Sequence, residues 1–270
     1  MGVFNELGRI FGDALLPMEP TAHLWGIRIF GALAVVTIAM TGIRIFLGLE
    51  RNGIVALARR MFFLSVLFGV VLLSRQITSV AINSSQQLAT AMQAAAGVQP
   101  IVFHQPSSAL ESFASVSEQA QVKVGLLFSW GTIGASIPMM FGMVVMWIAQ
   151  LLFAVTLLRY LVEAYMVRLL VPVLSGFAAW SGTAGIAEAS LSYLMRFSVR
   201  LVVMLIVASL APAVSLSLIN YINVTGLNTW GEMFAAAGAF FAFAVIVPGL
   251  PALVGRGMAN ISVPVGSLLR

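Results

Sequence analysis

The chain has 270 residues, of which 60% are hydrophobic and only 9% are charged, and its formal net charge is +5. About a quarter of the residues in an ordinary soluble domain are charged, so this chain has too few polar side chains to cover a water-soluble globule. A mean hydropathy of +1.03 predicts an all-α membrane protein, because lipid accepts long apolar runs when they are helical. The absence of cysteine excludes disulfides and thiol chemistry.

The first 20 residues predict an amphipathic helix. Apolar side chains recur at helical spacing on one face, and Glu6, Arg9 and Asp13 lie on the other. No compact apolar core precedes a small-residue cleavage site, which argues against a cleaved signal peptide. We expect segment 1–20 to end at its two prolines and to lie on the membrane surface or against a neighbouring helix.

Residues 21–270 predict one polytopic membrane domain. Its third apolar run is longer than the ~20 residues that one crossing needs, so we expect Pro138 to break it. Gly134, Pro138 and Gly142 recur at four-residue spacing and predict a small face suited to close helix packing between subunits. Pro248 and Gly249 are expected to break the end of the last span. The five predicted spans are 24–49, 61–80, 124–158, 201–222 and 233–254.

The segment 83–121 between the second and third spans is polar and contains neither lysine nor arginine. A connection of this length is normally partly structured, and residues 88–95 predict a short helix. Ser108 and Glu111 fit a capping box that begins a second helix, with Phe113 and Val116 on its apolar face. We predict that this segment is a periplasmic loop that contacts partner proteins.

The stretch from Arg159 to Arg200 is a concentration of charge in an apolar chain and predicts a polar elbow at the cytoplasmic side. Arg159 and Glu163 stand four residues apart, a spacing that favours an ion pair on one helix face. A contact with a partner subunit is the alternative role for this pair, and a proton relay is a third. The stretch also contains Arg168, Arg196, Glu188, Pro172 and three glycines.

The distribution of basic residues predicts the orientation. Loop 50–60, the elbow and the C-terminus together hold nine arginines, whereas loops 83–121 and 223–232 hold no basic residue. Placing the nine inside puts the N-terminus in the periplasm and the C-terminus in the cytoplasm, and it requires an odd number of crossings. The nine are Arg51, Arg59, Arg60, Arg159, Arg168, Arg196, Arg200, Arg256 and Arg270.

No constellation of residues predicts an enzyme, a metal site or a cofactor site. His23 and His104 are far apart in sequence, and neither has a second ligand at metal-binding spacing. Phosphate-binding glycine loops and the common hydrolase motifs are absent from the sequence. A secondary transporter or small-solute channel remains the alternative, and it would need charge at mid-membrane facing a cavity.

The elbow and the C-terminal end carry a resemblance to a known family. The runs VEAYMVRLLVPVLSGFAAW and GIAEASLSYLMRFSVRLVVMLIVASL, and the ending VPGLPALVGRG, resemble the TrbL family. Those proteins are polytopic inner-membrane subunits of type IV secretion and conjugation systems, related to the sixth VirB subunit. The matching positions are Glu163, Pro172, Gly176, Phe177, Gly185, Glu188, Ala189, Pro248, Gly249, Gly255 and Gly257.

The resemblance implies a non-enzymatic, multi-pass subunit of the bacterial inner membrane. It also implies a homo-oligomeric ring of five copies that supports pilus or stalk assembly and lines part of the path for DNA–protein complexes or effectors. Separate secretion ATPases would supply the energy, and other inner-membrane and stalk subunits would be partners. Under this reading the matched elbow residues, together with Arg159 and the face containing Gly134, contact subunits or partners.

Overall fold

The computed structural model describes residues 2–49, 52–95, 114–122, 133–225 and 230–257, and within these ranges it is helical almost throughout, with no strand. Helices α1 and α2 are joined by a 3₁₀ turn, Leu16–Met18, and a second 3₁₀ turn, Gly176–Ala179, follows α5. The helices are α1 Gly2–Leu15, α2 Glu19–Phe46, α3 Gly53–Ala95, α4 residues 114–122, α5 Ile133–Ser175, α6 Ala184–Ser209, α7 Ala211–Thr225 and α8 Trp230–Gly257.

Five helical segments in the described ranges are long and apolar enough to cross a membrane, which confirms the all-α fold and the five spans. They follow the predicted order, but several extend well beyond the predicted limits. Helices α3 and α5 have 43 residues each. At 1.5 Å per residue each is about 64 Å long, roughly twice the thickness of a hydrocarbon core.

Two prolines act differently from the prediction. Helix α5 continues through Pro138 to Ser175, and α8 continues through Pro248 to Gly257. A proline removes one helical hydrogen bond, but leaving the helix within lipid would orphan several backbone groups, so the helix continues.

A third proline interrupts a span that the sequence suggested was continuous. Helices α6 and α7 are separated at Leu210, whose amide donates to the Val207 carbonyl at 3.1 Å. Pro212 is the second residue of α7, in the first turn, where the amide hydrogen that it lacks would have no helical partner. The helix resumes at once, and the amide of Val214 donates to the Leu210 carbonyl at 2.9 Å.

The chain forms two compact units. The first unit comprises the described residues within Met1–Arg9, Ser85–Val162 and Val199–Arg256. The second comprises those within Ile10–Ser84, Glu163–Ser198 and Gly257–Arg270. Most of the predicted elbow therefore lies in the second unit, which also contains α2 and most of α3.

The first unit contains the C-terminal end of α3, which the sequence suggested was part of a loop. Gln93 is buried and its side-chain amide donates to the Leu205 carbonyl of α6 at 2.9 Å. Val116 and Ala120 of α4 are also fully buried, so the apolar face predicted at Val116 is present. The described parts of segment 83–121 are thus packed helices, whereas the capping pair Ser108 and Glu111 lies outside the described residues.

Helix α1 packs through small residues. Gly8 is buried, and a Cβ atom added there would lie 2.7 Å from Leu161 in the first unit. Gly12 is also buried, and an added Cβ would lie 3.0 Å from the Tyr165 hydroxyl in the second unit. Ile10, between them, stays half exposed. Helix α1 therefore packs through its two glycines, and Leu7, Phe11 and Leu15 of its apolar face are half buried.

Candidate functional site: the hairpin of helices α5 and α6

The predicted elbow is a helical hairpin in the second unit. The C-terminal part of α5, from Glu163, and the N-terminal part of α6, to Ser198, form its two arms. At the tip, the Thr183 hydroxyl donates to the Phe177 carbonyl at 2.8 Å. The amide of Ala184 donates to the Trp180 carbonyl at 2.9 Å and begins α6. The charged residues of both arms lie within α5 and α6. A charged side chain that has a partner does not disturb the backbone hydrogen bonds of its helix.

The hairpin approaches α2 closely at a pair of glycines. A Cβ atom added to Gly26 would lie 2.1 Å from the Pro172 carbonyl oxygen. An atom added to Gly176 would lie 2.3 Å from the Gly26 carbonyl oxygen. Both distances are far below van der Waals contact, so only glycine fits at either position. Gly176, Pro172 and Gly26 are all buried.

The tip of the hairpin is bonded to the middle of α2. The Thr37 hydroxyl lies 2.7 Å from the Ala179 carbonyl of the hairpin and 2.9 Å from the Leu33 carbonyl of its own helix. Ala178, Ala179 and Ala184 of the hairpin are buried in a cluster with Phe30. Small side chains at the tip permit this packing, because a larger residue would separate the hairpin from α2.

The two ends of the second unit both carry charge. At one end, Arg60 of α3 donates to the Thr41 hydroxyl of α2 at 2.8 Å. At the other end, Arg75 of α3 pairs with Glu19 of α2 at 3.0 Å. Arg168 of the hairpin lines the same groove as Glu19, and it donates to the Asn83 side chain at 3.3 Å.

This arrangement separates arginines that the topology prediction placed at one surface. Twenty-two residues separate Glu19 from Thr41, about 33 Å along a helix and close to the thickness of a hydrocarbon core. Arg168 lies at the Glu19 end and Arg60 at the Thr41 end. The arms of the hairpin run beside the apolar part of α2 and place these two arginines near opposite ends of that helix, and the predicted cytoplasmic-side elbow stays a prediction. Which end is cytoplasmic stays a prediction.

Glu163 contacts the other arm of the hairpin. Its carboxylate accepts a hydrogen bond from the Tyr193 hydroxyl at 2.5 Å. The two residues stand at one end of a cavity of about 590 Å³ that is otherwise almost wholly apolar. Gly185 lines this cavity, and a Cβ atom added there would meet nothing within 4 Å. Arg159 is exposed, and its pairing with Glu163 stays a prediction.

The remaining predicted contact residues have mixed surroundings. Gly142 is buried in the first unit, where an added Cβ would lie 2.7 Å from the Met233 side chain of α8. Gly249 is exposed and Glu188 is half buried. The backbones of Gly134, Pro138 and Pro248 are helical, but their surroundings lie outside what the structure describes. A partner contact at any of these residues stays a prediction.

Sequence reasoning missed several residues that hold the hairpin. Nothing in the sequence marked Gly26 as a packing position, since a single glycine in an apolar span can have several roles. Thr37 and Thr41 did carry one, because two hydroxyls four residues apart in an apolar run mark one polar face of a helix. Gly8 and Gly12 have the same spacing and could have predicted the packing face of α1.

The described residues contain no group of three or more His, Asp or Glu side chains that could hold a metal ion. The Nε2 atom of His23 lies 3.3 Å from the Val71 carbonyl and 3.1 Å from the Leu72 carbonyl. Carbonyl oxygens only accept, so Nε2 carries the proton and the ring bridges α2 to α3. His104 lies outside the described residues.

Comparison with known proteins identifies the family. The family model described as TrbL/VirB6 plasmid conjugal transfer protein matches residues 34–248, which include the whole hairpin and most of the apolar spans. No curated protein and no solved structure matches the chain significantly. The matched region is well over half of the sequence. With its five apolar helical spans, the chain is a multi-pass protein of the bacterial inner membrane. The chain belongs to the TrbL/VirB6 family of plasmid conjugal transfer proteins.

Proposed function

We propose that this membrane subunit of a conjugal transfer, or type IV secretion, system acts as a non-enzymatic scaffold. Copies of the chain would form a ring, five by family resemblance, that supports pilus or stalk assembly and lines part of the path for DNA–protein complexes or effectors. Secretion ATPases and other inner-membrane subunits would be its partners. Family membership supports a place in a conjugal transfer system. The positions of the charged side chains in the second unit support the scaffold role.

The observation that carries the scaffold role is that charged side chains of the second unit join helices at the ends of apolar runs. Glu19 pairs with Arg75 across α2 and α3, and Arg60 bonds to Thr41 near the far end of α2. Arg168 joins the hairpin to Asn83 of α3. A secondary transporter uses charge near mid-membrane, where ion binding can drive a change of access. Charges that bind helix to helix at the borders suit a rigid subunit better.

The transfer role is tested by removing the gene from a conjugative element and restoring it in donor cells. We expect transfer to be lost without the gene and restored by the wild-type chain. Transfer at the wild-type frequency in the deletion strain would contradict the proposal. The ring is tested separately by imaging protein purified in a mild detergent, where symmetric ring-shaped particles are expected and single copies would contradict it.

Glu163→Gln separates the scaffold from a proton-coupled transporter. The amide oxygen of glutamine can still accept the hydrogen bond from Tyr193, so a structural role should survive the loss of charge. We expect transfer within about tenfold of wild type, because the net worth of one such bond is about 1 kcal/mol. Glu163→Leu, which removes the acceptor, is the matched variant and should lower transfer further. Complete loss with Glu163→Gln and normal protein levels would favour the transporter.

A further inference from the structure

A polar groove in the second unit is not explained by the scaffold role. It lies between α2, α3 and α5 and encloses about 480 Å³. It is separate from the apolar cavity beside Glu163, which lies between the two arms of the hairpin. The polar residues that matter for the argument are Glu19, His23, Arg75, Gln76, Asn83 and Arg168.

The groove presents positive charge. Its lining includes two arginines and one glutamate. In the Arg75–Glu19 pair, 49% of the arginine side chain is exposed but only 12% of the glutamate. The Glu19 side chain is therefore mostly covered, while the Arg75 side chain, which also lines the groove, is about half exposed. Arg168 uses one of its five N–H donors on Asn83, at the long distance of 3.3 Å.

The walls of the groove are held in place by contacts between helices. Helix α2 is fixed to α3 by the Arg75–Glu19 pair and by the His23 ring, which donates to the Leu72 carbonyl at 3.1 Å. Helix α3 is fixed to α5 through Asn83 and Arg168. A ligand therefore meets donors that are already positioned, which lowers the entropic cost of binding.

The groove lies where α2 and α3 change between polar and apolar sequence. On α2 the apolar run begins directly after His23, with Arg28 as its one charge before Arg44, and on α5 Arg168 is followed by the apolar residues 169–174. On α3 the apolar run ends directly before Arg75, apart from Ser74. This border is the depth of lipid headgroups in a bilayer, and basic pockets between membrane helices at that depth suit phosphate-bearing headgroups.

We propose that this groove binds the phosphodiester group of an anionic phospholipid, with Arg75 and Arg168 donating to the phosphate oxygens. A planar guanidinium matches a phosphate through two parallel N–H donors, and two residues that carry such a group line the groove, one on α3 and one on α5. The volume exceeds that of a phosphate and leaves room for a small polar headgroup such as glycerol. The proposal does not depend on the transfer role, because it rests on the second unit alone.

The test measures thermal unfolding of the purified full chain in detergent, with added phosphatidylglycerol, phosphatidylcholine or inorganic phosphate. Arg168→Gln removes one proposed donor, and Arg28→Gln is the control. Arg28 is exposed on α2, near the same end, and stacks on Trp25 at 5.5 Å outside the groove. Arg168→Lys is included in case the glutamine variant does not fold, because it keeps the charge and loses the planar fork.

We expect phosphatidylglycerol to raise the unfolding temperature of the wild type and of Arg28→Gln more than the other two additives do. In Arg168→Gln the half-saturating concentration of that lipid should rise about tenfold, as expected for one charged hydrogen bond. Arg168→Lys should shift it in the same direction by a smaller factor. Equal stabilisation by phosphatidylcholine, or an unchanged response in both Arg168 variants, would overturn the proposal. Equal stabilisation by inorganic phosphate would overturn the proposal that the bound phosphate group belongs to a lipid.

Discussion

Single residues decide how closely the hairpin can lie against α2. At Gly26 the obstacle to a side chain would be the carbonyl oxygen of Pro172, a backbone atom that cannot rotate away. Gly31, five residues further along the same helix, meets nothing within 4 Å. The sequence shows two similar glycines in one apolar span, and only the partner helix distinguishes them.

Gly26→Ala and Gly31→Ala should therefore have opposite effects on stability. Alanine is favoured over glycine by about 1 kcal/mol in a helix, so Gly31→Ala should raise the unfolding temperature slightly. Gly26→Ala adds a methyl group where none fits and should cost about 3 kcal/mol, at the upper end for an overpacked core. Thermal unfolding of the two variants in detergent measures the difference. Equal stability would show that the close approach is not present in solution.

Glu163 shows what sequence spacing can and cannot predict about a site. Its importance within the elbow was visible, since it is an acid within an apolar run and matches the family pattern. The spacing suggested Arg159 as its partner, which stays a prediction, but gave no sign of the contact with Tyr193, thirty residues later. A contact across two antiparallel helices depends on how they are docked, and helical periodicity carries no information about that.

At the scale of helices, the apolar runs predicted which segments cross the membrane, and the helix ends were the least predictable feature. Charge at Glu163 and Arg168 suggested an interruption, but both side chains find partners and α5 continues to Ser175. The interruption at Leu210 went unnoticed, although Pro212 is visible in the sequence. Pro138 and Pro212 look alike in sequence, yet α5 continues through Pro138, whereas α7 begins beside Pro212.

The docking of the hairpin tip on α2 can be tested at Thr37. Thr37→Val keeps the shape of the side chain and removes the hydroxyl that binds the Ala179 carbonyl, so stability should fall by about 1 kcal/mol. Hydrogen exchange at the amides of Thr183 and Ala184 should become faster, because the tip is less firmly held. Thr156→Val is the control, since the Thr156 hydroxyl donates to the Leu152 carbonyl of its own helix. Similar exchange at the tip in both variants would contradict the docking.

At the scale of the whole chain, composition was enough to predict an all-α membrane protein, whereas the topology that the arginine count predicts stays a prediction. Counting basic residues treats the chain between spans as lying at one surface. In the structure the arms of the hairpin run beside α2. The segment 159–200, which the count treats as one elbow, therefore does not lie at a single end of the second unit. The count therefore combined arginines that lie near opposite ends of the second unit, such as Arg60 and Arg168.

Whether the two ends of the second unit lie on opposite sides of the membrane can be tested by labelling. Because the chain has no cysteine, a single introduced cysteine can be labelled without background. Four exposed positions of the second unit serve as reporters: Met18, Asn52, Ser181 and Met195. Ser181 lies at the hairpin tip and lines a cavity with Arg44 and Arg60, at the same end as Asn52. Met195 follows Tyr193, beyond the end where Arg168 and Glu19 lie.

With a maleimide that does not cross the membrane, Asn52→Cys and Ser181→Cys should react from one side of the membrane. Met18→Cys and Met195→Cys should react from the other side. Met195 is the decisive position, because a single cytoplasmic elbow would place it with Asn52 and Ser181, whereas an embedded hairpin places it with Met18. The labelling side of Met18 and Asn52 also determines the orientation of α2, since the two positions flank that helix. If Met195→Cys were labelled from the same side as Asn52→Cys, the hairpin would not be embedded in the bilayer, and the elbow would lie at one membrane surface as predicted.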